Sequence, residues 1–242
     1  MGQRQHSEVF DYRTIRRLIG LLAVLLPCSL VAIALLMGFA IMPSISEFFY
    51  TPAREVLVGT IGAISIFLFC YNGHPRDEQR AKTSWRERWV TDRVLSLAAA
   101  IGALGVAFFP VKSQFATGMS PDPMFVQLLG EWGASTLHKA SALMFFAALT
   151  WFCLDNFRRT PDAAISTARM RANRVYKACG YIILFCTLGL VVLGIAASRF
   201  ETLAEEADRK FVILILEAVA LIAFSAAWIV KGKTKAWFRG EL

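Results

Sequence analysis

Charged residues fall in clumps along this chain, and long uncharged stretches lie between the clumps. Arg17 to Glu47 encloses 29 uncharged residues, Arg93 to Lys112 encloses 18, Lys139 to Asp155 encloses 15 and Lys177 to Arg199 encloses 21. Glu55 opens another apolar run that lasts to His74 and Pro75. Lys210 to Lys231 holds 20 residues, of which only Glu217 is charged. A helix rises about 1.5 Å per residue, so roughly 20 residues cross a hydrocarbon core about 30 Å thick. The pattern predicts an all-α, polytopic membrane protein. Its single domain, residues 1–242, is a six-helix bundle with spans near 18–42, 53–72, 94–111, 136–154, 177–197 and 211–231. The period-2 alternation that a membrane β-barrel needs is missing. The first apolar run is too long for a cleaved signal core and ends without a small-residue cleavage site.

Loop charges add an orientation. The N-terminal tail, the 72–93 and 155–178 loops and the C-terminal tail carry 20 Lys and Arg against 6 in the three loops of the other face. Basic residues accumulate on the cytoplasmic side. Both termini, with His6 and Arg239, are therefore expected inside a bacterial inner membrane, and Ser120 and Glu205 outside. The net charge of +8 is then a topology signal and an attraction to anionic lipid, so no nucleic-acid partner is expected. With 56% hydrophobic and 18% charged residues, the chain is neither an ordinary soluble enzyme nor a disordered tail.

Smaller features refine the picture. Thr51 and Pro52 suit the N-cap and first position of the second helix. The small residues Gly102 and Gly105 of the third helix, and Gly59 and Gly62 of the second, suggest close helix packing, and leave room for a membrane-protein partner or a second copy. Met124–Leu129 is apolar but too short to span, and is expected to lie along the outer surface or to cover a cavity. The 76–93 loop, with Trp85 and Trp89, suits a helix at the cytoplasmic interface. Cys28, Cys70, Cys153, Cys179 and Cys186 show no C-x-x-C pairing and read as packing residues. His6 and His74 are expected on the opposite face from His138. One chain thus offers no three-histidine zinc site and no bis-histidine haem, and no metal or cofactor is expected.

Candidate chemistry concentrates at the outer boundary. Ser44, Ser46, Glu47 and Tyr50 follow the first helix, and Arg54 opens the second. His138 precedes a short apolar run and shares a helix face with Ser141. Glu217 lies six residues past Phe211, about 9 Å down the last helix, where an ionisable group is costly unless paired, protonated or beside water. Glu217 is expected to face the interior and meet Arg54 or His138. Three helix N-termini on this face favour an anion. The site reading is therefore Ser46, Glu47, Tyr50, Arg54, His138, Ser141 and Glu217, binding an anionic lipid, an amphiphile or a membrane partner. Two alternatives stay open: a membrane-embedded hydrolase using His138 with Ser46 or Glu217, and a small proton- or cation-coupled transporter with Glu217 as its ion site. Tyr71, Asp77, Asp92 and Asn156 form a weaker set on the cytoplasmic side.

The stretch Ser46–Gly59, together with Ala107–Pro110, Leu137–Ala142, and Glu217 followed by Trp228–Gly232, resembles a recurrent pattern in uncharacterised six-helix bacterial inner-membrane proteins. The layout is more distantly similar to the damage-regulated autophagy modulator group. The resemblance implies a six-helix fold and a special outer layer, and it carries no activity.

Overall fold

The computed structural model describes residues 12–73, 89–114, 122–159 and 167–233. Seven α-helices occur among them: α1 Tyr12–Met37, α2 Arg54–Cys70, α3 Asp92–Phe108, α4 Met124–Leu154, α5 Thr167–Ala197, α6 Glu201–Arg209 and α7 Val212–Lys231. Short 3-10 helices occupy Ser46–Tyr50 and Asn156–Arg158, and the described residues contain no strand. His6, His74, Asp77, Trp85, Ser120 and Arg239 lie outside the described residues, as does most of the proposed 76–93 interfacial helix.

Six helices close into a ring. α1 packs on α2, α2 on α3, α3 on α4, α4 on α5, α5 on α7 and α7 back on α1. The centre is mainly apolar, from Leu30, Leu26 and Ile19 of α1 to Phe152 of α4 and Phe224 and Trp228 of α7. The outside is apolar too: Leu36, Ile66, Ile101, Phe185, Val192 and Ile222 are all exposed. A soluble bundle confines exposed apolar surface to small patches, whereas here it continues around the ring. Four segments, Arg13–Met37, Met124–Arg158, Thr167–Ala197 and Val212–Lys231, are long and apolar enough to cross a membrane. The chain is a multi-pass, membrane-embedded helical protein. α2 and α3 have 17 residues each, about 25 Å of helix.

Several helix ends differ from the charge-gap reading. α1 stops at Met37 because Gly38 turns into the left-handed region with φ +73°, and its N–H still bonds back to the Ala34 carbonyl at 3.0 Å. This is a glycine C-cap. Thr51 does not cap α2: Ala53 occupies that position, and the Thr51 hydroxyl accepts from Ala53 N–H inside the preceding turn. Met124–Leu129 forms a short, largely exposed helical stretch, set off from the rest of α4 by a break at Gly130, where φ is 70° and ψ is 164°. α5 begins ten residues before Lys177 and carries Arg169, Arg171 and Arg174 on its first turns. Charge ends an apolar run without ending a helix.

Close approach occurs at α3. A Cβ on Gly102 would sit 2.8 Å from both Phe145 N and Ser141 O of α4, so glycine lets the two backbones touch. Gly59 and Gly62 of α2 have no described atom within 4 Å of that position. The second-helix glycines therefore do not serve the packing expected of them.

Candidate functional site

The residues between α1 and α2 fold back over one end of the ring. Met42, Ser44, Ile45, Phe48, Phe49 and Ala53 are buried there, and Leu214 N–H of α7 donates to the Pro43 carbonyl at 2.8 Å. A non-helical backbone at the edge of an apolar bundle must find partners for its polar groups. Those partners are the functional candidates.

From α7, the Glu217 carboxyl accepts the Ile45 N–H through Oε2 at 2.6 Å, and the Ser46 side chain lies beside it. From α4, His138 Nε2 lies 2.8 Å from Ser46 Oγ. The other ring nitrogen, Nδ1, is 2.6 Å from the Phe109 carbonyl. Phe109 is the residue just past α3, where a helix leaves its last carbonyls without intrahelical partners, and Pro110 cannot continue the helix. A carbonyl only accepts, so Nδ1 carries the proton. In the neutral ring Nε2 is then the acceptor, and the Ser46 O–H donates to it. Ser46 thus bonds His138 and lies beside Glu217, so three elements distant in sequence come together here.

A second carboxylate lies beside this group. Glu47 Oε1 accepts from the Ser113 hydroxyl at 2.7 Å, and Oε2 from the Ser44 hydroxyl at 3.2 Å. Burial pushes the Glu47 carboxyl above its ordinary range; the Ser113 hydroxyl opposes this, the Asp208 charge adds to it, and the Ser44 hydroxyl and N–H geometry oppose it further. Ser46, Glu47 and Glu217 are partly exposed while His138 is buried. The network therefore opens to the surface on its acidic side.

The remaining expected members lie apart from the network. The Tyr50 hydroxyl donates to the Val111 carbonyl at 2.7 Å, pinning the linker to the segment after α3. The Arg54 guanidinium lies over the Phe49 ring at 4.1 Å, a cation–π contact. Ser141 packs against Gly105 of α3. Neither Arg54 nor His138 bonds Glu217; His138 bonds Ser46, which lies beside Glu217. Three partners were not anticipated: the Ile45 N–H, the Phe109 carbonyl and Ser113. Two are backbone groups that every residue possesses, and Ser113 carries no sequence signal. On the opposite side, Asn156 donates to Asp92 at 2.5 Å and Arg16 donates to the Tyr71 hydroxyl at 3.2 Å.

In comparisons with protein families, with curated proteins and with solved structures, the chain has no match.

Proposed function

We propose that this is a six-span protein of a bacterial inner membrane, with both termini cytoplasmic, whose outer polar layer binds the headgroup of a membrane amphiphile. The 20-to-6 division of basic residues and the ring order, in which α2 and α3 lie side by side with the four long helices, support the six spans. A single arrangement carries the binding reading: Glu217, Ser46 and His138 converge at the half-open end of an apolar ring. Such a network costs desolvation that a purely structural contact between apolar helices does not require.

Its chemistry selects the headgroup. Two carboxyls flank the opening, and the cation expected to hold an anion, Arg54, lies on Phe49 instead. A hydroxyl-bearing or amine-bearing headgroup, which donates hydrogen bonds, suits this mouth better than a phosphate does. The test is lipid analysis of the protein purified in mild detergent. Wild-type protein should retain such an amphiphile, and Glu217→Leu and Ser46→Ala should each lose it. Identical lipid profiles in wild type and both variants would reject the reading.

One observation favours a second reading, a membrane-embedded hydrolase. The 2.8 Å Ser46–His138 contact and the 2.6 Å His138–Phe109 contact place a hydroxyl on a base whose far nitrogen is held by an acceptor. In that role Ser46 attacks an ester carbonyl while its proton passes to His138 Nε2. The acyl-serine then forms as the alcohol leaves with that proton, and water releases the acid. Labelling of Ser46 by a fluorophosphonate, lost in His138→Ala, would support it; an unlabelled Ser46 would remove it.

A further inference from the structure

At the end of the ring opposite the polar layer, Arg16 and Lys231 lie close together, and neither has an ion-pair partner among the described residues. Arg16 of α1 donates through Nη1 to the Lys231 carbonyl at 3.5 Å and through Nη2 to the Tyr71 hydroxyl at 3.2 Å. Its guanidinium lies 5.3 Å from the Tyr71 ring centre. Lys231, the last residue of α7, donates to the Phe157 carbonyl at 3.0 Å and lies 5.1 and 5.8 Å from the Phe157 and Tyr176 rings. These partners solvate the two cations and neutralise neither. Among the described residues, no carboxylate lies within ion-pair distance of Arg16 or Lys231. Asp155 is paired with Arg159, and Asp92, which acts on Lys231 only through space, is bonded by Asn156. Arg169 of α5 adds a third positive charge to the same field.

An independent observation gives the direction. Two N–H donors of the cluster, Arg16 Nε and the indole Nε1 of the fully buried Trp228, have no hydrogen-bond acceptor. Buried donors without acceptors are rare and costly. Like charges brought together in a low-dielectric setting repel unless an anion joins them. Arg17 shows the contrast: its Nε caps the Gly232 carbonyl at 3.1 Å, a favourable place for a cation at the end of α7.

We propose that Arg16 and Lys231 form a binding site for a phosphate group at this end of the bundle, with Arg169 adding to its field. A planar guanidinium and an ammonium on neighbouring helices offer donors that suit phosphate oxygens, and basic sites between membrane helices hold anionic headgroups. The phosphate source is either an anionic phospholipid or the free ion. The inference is independent of the outer-site reading, since no residue is shared.

The experiment uses the full-length chain in nanodiscs of phosphatidylcholine, with or without phosphatidylglycerol, and in detergent with inorganic phosphate. The readout on wild-type protein is the modification rate of Lys231 by an amine-reactive reagent, followed by peptide mass spectrometry, with Lys139 as the reference. Protection of Lys231 by phosphatidylglycerol alone assigns a lipid headgroup; protection by inorganic phosphate as well assigns the free ion. Arg16→Gln should weaken the protecting anion by about tenfold or more, since a charge-assisted hydrogen bond is lost, and Arg16→Lys should recover part of it. If neither probe slows Lys231 modification relative to Lys139, the proposal is overturned. It is equally overturned if Arg16→Gln, folded by its melting curve, binds either probe as wild type does. The wild-type measurement stands even if that variant fails to fold.

Discussion

Replacing His138 separates the two bonds that hold the polar layer together. The imidazole satisfies the Phe109 carbonyl through Nδ1 at 2.6 Å and accepts from Ser46 through Nε2 at 2.8 Å. Leucine in its place keeps bulk and removes both. Ser46 is partly exposed and can turn to water, whereas the Phe109 carbonyl, followed by Pro110 and facing the buried ring, loses its partner. A buried polar group left unsatisfied costs about 1–3 kcal/mol. A chain of this length loses roughly 2–4 °C of melting temperature per kcal/mol, so His138→Leu should melt about 2–12 °C below wild type. Asparagine offers its amide N–H near the position of Nδ1 and can still donate to Phe109. His138→Asn should therefore recover more than half of the loss, and His138→Gln, whose amide lies nearer Nε2, should recover less. Thermal melting in one detergent decides the order. If the leucine variant melts with wild type, or asparagine falls as low as leucine, the Phe109 bond does not hold this end of the bundle.

Three further outcomes follow from other parts of the molecule. Gly102→Ala places a Cβ 2.8 Å from the α4 backbone and should cost about 1–3 kcal/mol through overpacking; Gly59→Ala, with open space around it, should leave the melting temperature unchanged or slightly higher. Burial raises the Glu47 carboxyl above its ordinary value of 4.5, so between that value and the raised one the folded chain binds more protons than the unfolded chain, and stability falls as pH rises. Glu47→Gln should flatten that part of the melting profile, and an unchanged slope would show that Glu47 is not its source. In a background lacking the five native cysteines, Glu205→Cys should react with an impermeant thiol reagent from outside and Arg80→Cys only after the inner membrane is opened. Labelling of Arg80→Cys in intact cells would contradict six spans.

The helices were legible because lipid tolerates few charges, so gaps between charged residues mark apolar segments directly. Helix ends were less legible. Thr167 to Lys177 is helical although four basic residues crowd it, because helix formation is indifferent to where the membrane stops. Gly38 and Gly130 both take positive φ, yet one ends a helix and the other bends it, and the difference depends on what packs beyond each. At the polar layer, Ser46, Glu47, His138 and Glu217 stood out by residue type and depth. Sequence spacing could not show that Arg54 would turn onto Phe49, since its long side chain reaches several partners from one backbone position. The backbone acceptor at Phe109 and donor at Ile45 were hidden for another reason: they become special only once the fold leaves them unpaired.

Glu217, Ser46 and His138 are proposed to form a headgroup site at the polar end of the membrane bundle. A high-resolution cryo-EM map of the wild-type chain in nanodiscs made from native bacterial lipid tests it most directly. Density is expected for a hydroxyl or amine headgroup within hydrogen-bonding distance of the Glu217 carboxyl, its tails lying along the apolar outside of the ring. A map in which protein side chains alone close over Glu217 and Ser46, or in which a phosphate occupies that mouth, would contradict it.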